Sequence, residues 1–137
     1  MLVEFASGAR GTFEASRTLA GPESENAFDV YGTRGAVGWN LERLNELRLY
    51  RASEDLGSGY TTVLSGERFP HHGAFVPGSG NAIGFEDLIT IEDHEFCRAV
   101  AEGRPYEPGF EQALAWANVQ AALLRSAQSG RWEEVGP

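Results

Sequence analysis

The residues of this chain that could do chemistry are few and widely spaced. Gly78-Ser79-Gly80-Asn81-Ala82-Ile83-Gly84 has the glycine density of a turn that cradles phosphate. A dinucleotide fingerprint needs glycine at the first, third and sixth positions, directly after an apolar strand. Here the sixth position is Ile83, and the preceding Phe75-Val76-Pro77 ends in a proline that a central strand excludes. His71 and His72 are neighbours, so in an extended chain they point opposite ways and make poor co-ligands. With Asp93 and His94 they compose a metal site only if the fold converges them. Cys97, between Phe96 and Arg98, has no base or cationic setting nearby in sequence and is expected to be a small buried residue. No Gly-x-Ser-x-Gly elbow exists, and Ser79 reads as part of a turn. Glu86-Asp87 and Glu133-Glu134 are side-by-side carboxylates, whereas opposed catalytic carboxylates come from separate elements. Arg17 stands apart. It is the one charge on an otherwise apolar alternating face, suited to a carboxylate, a hydroxyl-rich ligand or a bridge to a Glu. The residues by themselves therefore assign no catalytic, cofactor-binding or metal site.

Composition narrows the classes further. The 137 residues hold 20 Asp+Glu against 11 Lys+Arg, a formal charge of −9, which disfavours a phosphate-binding face for nucleic acid. One Cys excludes an internal disulfide framework. No apolar run reaches the ~20 residues of a membrane span, and the first residues lack the pattern of a signal peptide. The expectation is a single acidic, cytoplasmic domain over residues 1–137, without a membrane or nucleic-acid partner.

The positioning elements are strands first and helices last. Leu2, Val3 and Phe5 suggest a strand, followed by a turn at Ala6-Ser7-Gly8-Ala9. Gly11 to Leu19 alternates, with Phe13, Ala15, Arg17 and Leu19 on one face, as a half-buried antiparallel strand does. Asn26 to Thr33 resumes the alternation. Thr33-Arg34-Gly35-Ala36 is a hairpin turn, and Val37-Gly38-Trp39 continues as its partner strand. Asn40 is placed to cap one helical turn at Leu41-Glu42-Arg43-Leu44. Glu46 to Arg51 and Tyr60 to Leu64 are further strands, joined by a polar turn from Ser53 to Gly59. Connections this short make the sheet antiparallel. Residues 65–84 hold five glycines, two prolines and two of the three histidines, the composition of a long loop without helix or strand period. Two helices follow, Phe85 to Glu102 ending at Gly103, and Phe110 to Gln128 ending at Ser129-Gly130. The second carries Phe110, Leu114, Ala117, Ala121 and Leu124 as an inward stripe at helical period. Arg131 to Val135 could return as an edge strand. The fold class is α+β, an open-faced, mainly antiparallel sheet with two C-terminal helices packed on one face. Its other face, still apolar, calls for a partner domain or a second copy.

The order of the motifs resembles a known family. Gly11-Thr12-Phe13-Glu14-Ala15-Ser16-Arg17 is like a family strand ending in Ser-Arg. Val30-Tyr31-Gly32-Thr33-Arg34-Gly35-Ala36-Val37 is like its hairpin. Pro77 through Glu86, with Gly80-Asn81-Ala82-Ile83-Gly84-Phe85-Glu86, looks like one branch's Gly-His-x-Ile-Gly-Tyr-Glu segment. Phe96 through Pro105, Pro108 through Leu114, and Ser126-Ala127-Gln128-Ser129-Gly130-Arg131-Trp132 complete the series. Together they are similar to the C-terminal domain of the glucose–fructose oxidoreductase, inositol 2-dehydrogenase and MocA family. The chain departs from that branch at Asn81, where it has His, and at Phe85, where it has Tyr.

The resemblance implies an oxidoreductase dependent on NAD or NADP and acting on a sugar, polyol or related hydroxy compound. The cofactor and the family's catalytic lysine belong to an N-terminal Rossmann domain absent from these residues, and the Asp and His of the family's active-site helix are expected just upstream of them. This chain would shape the substrate pocket and associate into a dimer or tetramer through its open sheet face, and would be inactive alone. Arg17, His72, Asn81 and Phe85, at the strand end and on the long loop, are the candidates to face substrate. The alternative is a stand-alone dimerising scaffold domain that performs no chemistry.

Overall fold

The computed structural model describes residues 1–52, 59–76, 78 and 80–136; all of the expected Ser53 to Gly59 turn but Gly59, together with Pro77 and Ser79, lies outside them. Strands β1 (Leu2–Glu4) and β2 (Arg10–Thr12) form a two-stranded sheet. Strands β3 (Ala27–Gly32), β4 (Gly35–Asn40), β5 (Glu46–Arg51) and β6 (Tyr60–Leu64) form a four-stranded antiparallel meander in that order. A single helical turn, α1 (His72–Phe75), then precedes two longer helices, α2 (Phe85–Glu102) and α3 (Phe110–Ser129). The fold is α+β, as the sequence implies. Two compact units make up the chain, Leu19–His94 and the combination of Met1–Thr18 with Glu95–Pro137.

In the Leu19–His94 unit the pairing register explains the alternating sequence. Phe28, Trp39, Leu47 and Val63 lie opposite one another across the four strands, and Val30, Val37, Leu49 and Thr61 form the next row on the same apolar face. The other face carries the row Asp29, Gly38, Arg48, Thr62 and the row Tyr31, Ala36, Tyr50, Tyr60. Gly38 is required where it stands. The Asp29 carboxylate crosses over it to reach Arg48 Nη2 at 2.6 Å, and a Cβ at position 38 would overlap the Asp29 oxygen. The Arg48 guanidinium in turn lies 5.4 Å from the centre of the Tyr60 ring. A Cβ at Gly35 would run into the Tyr50 carbonyl, so the hairpin also depends on glycine there. Asn40 caps the turn Leu41–Arg43 as expected, its Oδ1 accepting the Glu42 N–H at 2.8 Å.

Four expectations need correcting. The alternation from Gly11 to Leu19 does not make one strand: β2 stops at Thr12, because its pairing with β1 closes where Met1 and Phe13 exchange hydrogen bonds of 2.8 and 2.9 Å. Arg17 accordingly lies on an exposed irregular segment, not at the end of a strand. The segment Arg131 to Val135 is not a strand, since side chains of α3 occupy its backbone. Ser126 Oγ donates to the Arg131 carbonyl at 2.6 Å and Arg125 Nη2 donates to the Glu134 carbonyl at 3.0 Å. Cys97 is exposed. The more buried side of α2 carries Leu88, Ile91, Glu95 and Ala99, and Cys97 projects away from it at helical spacing.

The fourth correction concerns α3. The stripe read as inward is outward in this chain: Phe110 is 96% exposed and Leu124 64%. The helix turns Val119, Ala122 and Ser126 inward instead. Period counting finds apolar residues but does not separate bulky from small, and α3 has both kinds on different sides. Among the described residues the buried hydrophobic ones are Ala36, Ala99 and Ala122. No helix among them is long and apolar enough to cross a membrane.

Candidate functional site

A groove of about 610 Å³ opens in the Leu19–His94 unit. One wall is the β4–β5 connection, Leu41 to Glu46; the other is the chain running into α2, Ala82 to Phe85; Ser24 adds to the rim. That volume lies within the usual range for small-molecule sites. Leu41, Leu44, Ile83 and the exposed Phe85 ring supply apolar surface, while Glu42, Arg43, Asn45 and Glu46 supply polar atoms.

Each polar wall residue is held by its neighbours. Glu42 Oε1 accepts the backbone N–H groups of Ser24 and Glu23, both at 2.8 Å. Those bonds, Ser24 first, hold the Glu42 carboxyl below its ordinary range. Arg43 donates from both Nε and Nη2 to Glu46 at 2.8 Å, a bidentate pair on one edge of the groove. Trp39 Nε1 donates to the Leu44 carbonyl at 3.0 Å and so fixes the bend of the connection.

Asn45 joins the two walls. Its Nδ2 donates to the Ile83 carbonyl at 2.8 Å, and its Oδ1 accepts the Ile83 N–H at 3.1 Å. One amide thereby pairs with both backbone groups of a residue 38 positions away, as a neighbouring strand would. The Asn45 carbonyl accepts the Ser65 N–H at 2.8 Å. Ser65 Oγ lies 2.7 Å from His72 Nδ1, and His72 Nε2 lies 3.0 Å from the Asn81 carbonyl. Because a carbonyl only accepts, Nε2 carries the proton; in the neutral ring Nδ1 then accepts from the Ser65 hydroxyl. The bonds link Ile83, Asn45, Ser65, His72 and Asn81 in series, and the backbone from Asn81 through Ala82 to Ile83 closes the loop.

The four candidate residues fall out differently. Phe85 lines the groove, and Asn81 is exposed immediately before the lining residue Ala82. The Asn81 side chain donates to the Gly78 carbonyl at 3.1 Å. His72 is 1% exposed, with both ring nitrogens engaged by the chain itself. Arg17 belongs to the other compact unit. His71 and His72 do face differently, one exposed and one buried, and the His71 ring sits 6.5 Å from that of His94. Among the described residues no group of three His, Cys, Asp or Glu is arranged to hold a metal.

The start of α2 does not fit a dinucleotide pyrophosphate. Helix N-termini attract anions, but here Asp87 Oδ2 already accepts the Gly84 N–H at 2.7 Å, with Glu86 beside it. Asn45, Ser65 and Glu42 are the residues that sequence reasoning missed. An Asn between a helical turn and a strand looks like ordinary turn chemistry, and nothing local in sequence signals a clamp 38 residues away.

The geometry is that of an α+β domain with a groove between a turn and a helix start. Comparison with known proteins gives it a family. Residues 1–135 match the C-terminal alpha/beta domain of the Gfo/Idh/MocA oxidoreductase family, and the chain belongs to that family. Levoglucosan dehydrogenase of Pseudarthrobacter phenanthrenivorans is 33% identical over 135 residues, which cover 98% of this chain and 35% of that protein. The solved complex of levoglucosan dehydrogenase with NADH and levoglucosan is similar with a TM-score of 0.93 at 32% identity, covering 99% of this chain and 37% of that one. An NAD-binding oxidoreductase from Klebsiella pneumoniae is similar with a TM-score of 0.90 at 34% identity, over 99% of this chain and 37% of its own. The chain spans little more than a third of the length of these relatives.

Proposed function

We propose that this chain is the substrate-pocket and assembly domain of a cytoplasmic, NAD- or NADP-dependent oxidoreductase acting on a sugar, a polyol or a related hydroxy compound. The observation that carries the reading is the similarity to a dehydrogenase solved with both NADH and levoglucosan. The groove agrees with it, because a ring bearing several hydroxyls needs an apolar platform such as Phe85 beside fixed acceptors such as Glu42 and Glu46. In this reading Asn81 and Phe85 face substrate, His72 contributes from beneath the surface, and Arg17 is a separate substrate-facing candidate on its own unit. The nicotinamide supplies hydride transfer from a domain outside this chain. The chain's own residues bind and orient the hydroxyl-bearing carbon. Exposed side chains on the apolar sheet face, including Phe28 and Val30, supply the contacts for self-association into a dimer or tetramer.

The test is coenzyme reduction by the polypeptide that joins this chain to its cofactor domain, assayed with levoglucosan and a panel of sugars and inositols. Reduction of NAD+ or NADP+ is expected with at least one of them. Arg17→Ala should raise KM about tenfold, the scale of one charge-assisted hydrogen bond. No turnover with any hydroxy compound of the panel would overturn the proposal; an unchanged KM and kcat in Arg17→Ala would remove Arg17 from it.

A further inference from the structure

We propose that His72 is a positioning residue for the groove: its ring fixes the Asn81 carbonyl and so sets the start of the wall formed by residues 82–85. The inference rests on the reading of the groove as a substrate site and adds a residue that acts through another. The first argument is burial. Among the described residues, the buried hydrophobic side chains are three alanines, yet His72, a large polar ring, is 1% exposed. Burying an imidazole is costly unless both nitrogens find partners. Here both do, at 2.7 and 3.0 Å.

The second argument is what the ring holds. Residues 81–84 belong to no helix or strand, so backbone ladders do not support them. Their polar groups are satisfied one by one instead: the Asn81 carbonyl by His72, both Ile83 groups by Asn45, and the Gly84 N–H by Asp87. Of these anchors, His72 is the one that holds Asn81, the exposed residue just before the groove wall begins at Ala82. Ser65 orients the ring, and the Asn45 carbonyl holds the Ser65 backbone in turn. A wall set by three successive side-chain anchors keeps one conformation without a ligand, which lowers the ordering cost of binding.

Two near-isosteric substitutions separate the ring's two edges. The amide nitrogen of Gln overlays Nε2, so His72→Gln keeps the donor to Asn81 and loses the Ser65 contact. The amide oxygen of Asn overlays Nδ1, so His72→Asn keeps Ser65 and loses Asn81. Amide exchange measured by NMR on the whole chain should show Ile83 and Gly84 exchanging about tenfold faster in His72→Asn, and within about threefold of wild type in His72→Gln. Val37 and Leu49, in the sheet, should be unchanged in both. Titration with levoglucosan should follow the same order, with about tenfold weaker binding in His72→Asn only. The wild-type ring should show the 15N signature of the Nε2-protonated tautomer. Equal effects of the two variants, or none in either, would overturn the positioning role, as would protection lost across the sheet as much as in the wall. Absence of any levoglucosan shift in wild type, with the exchange contrast intact, would count against the substrate and leave the positioning role supported. Ser65→Ala, which keeps the Nε2 bond, should resemble His72→Gln, and a match to His72→Asn would also overturn it.

Discussion

Asn45→Ala is the most direct test of whether one side chain joins the two walls of the groove. The substitution removes two hydrogen bonds, at 2.8 and 3.1 Å, and leaves the N–H and carbonyl of Ile83 without partners. A net hydrogen bond contributes roughly 0.5–1.5 kcal/mol, so the pair sets a range of about 1–3 kcal/mol. Asn45 and Ile83 are both half-buried, so water reaches the freed groups and the lower half of that range applies, about 1–2 kcal/mol. For a domain of this size the loss corresponds to a fall in Tm of roughly 3–8 °C. Asn45→Asp sharpens the reasoning. A carboxylate still accepts the Ile83 N–H but has no proton for the Ile83 carbonyl and sets a negative charge against it. It should therefore be no more stable than Asn45→Ala above the carboxylate range and recover on protonation at acid pH. The assay is urea unfolding followed by fluorescence, with an unchanged m-value and a lower midpoint. Midpoints for both variants within the error of wild type would refute the account, because the clamp would then contribute nothing.

Two further outcomes follow from the surfaces of the other unit. Leu114→Glu and Leu124→Glu change side chains that are 61% and 64% exposed, so each should leave the midpoint within about 0.5 kcal/mol of wild type. A large loss of stability in either, by the same unfolding assay, would show the stripe to be inward after all. Glu102 is held below the ordinary carboxylate range chiefly by the Arg104 guanidinium at 2.6 Å, then by Arg98 at 3.0 Å. A lowered folded value contributes stability that is present above the ordinary range and lost as pH falls through the folded one. Glu102→Gln should flatten the acid limb of stability against pH, most visibly at low salt, and an acid limb identical to wild type would contradict that.

The sheet was legible because alternation is a local signal that register turns into faces. Phe28, Val30, Trp39, Leu47 and Leu49 all sit where period two puts them. Arg17 shows the limit of the same signal: its segment alternates just as well, but a strand also needs a partner, and β1 offers only three residues. The α3 stripe fails for a related reason, since period assigns residues to a common side and says nothing of which side meets the chain. Of the site, Phe85 could be read from its place beside the glycine-rich segment. Ser65 and Asn45 could not, because each is an ordinary turn or strand-end residue until tertiary structure brings it to His72 or Ile83.

The distribution of polar and apolar burial then becomes informative. In a self-contained domain, large apolar side chains are removed from water first and polar rings are left near the surface. This chain inverts that order, leaving Phe110 and Leu124 exposed while enclosing His72 with both nitrogens satisfied. Hydrogen bonding sets the groove wall from within the chain, so its shape does not wait on a partner. Phe110 and Leu124 do not line that groove, so the contacts they offer and the groove wall are set by different side chains. The Asn45 and His72 anchors should accordingly keep the groove in place when Leu114 or Leu124 is made polar, and the exchange rates at Ile83 and Gly84 measure that separation directly.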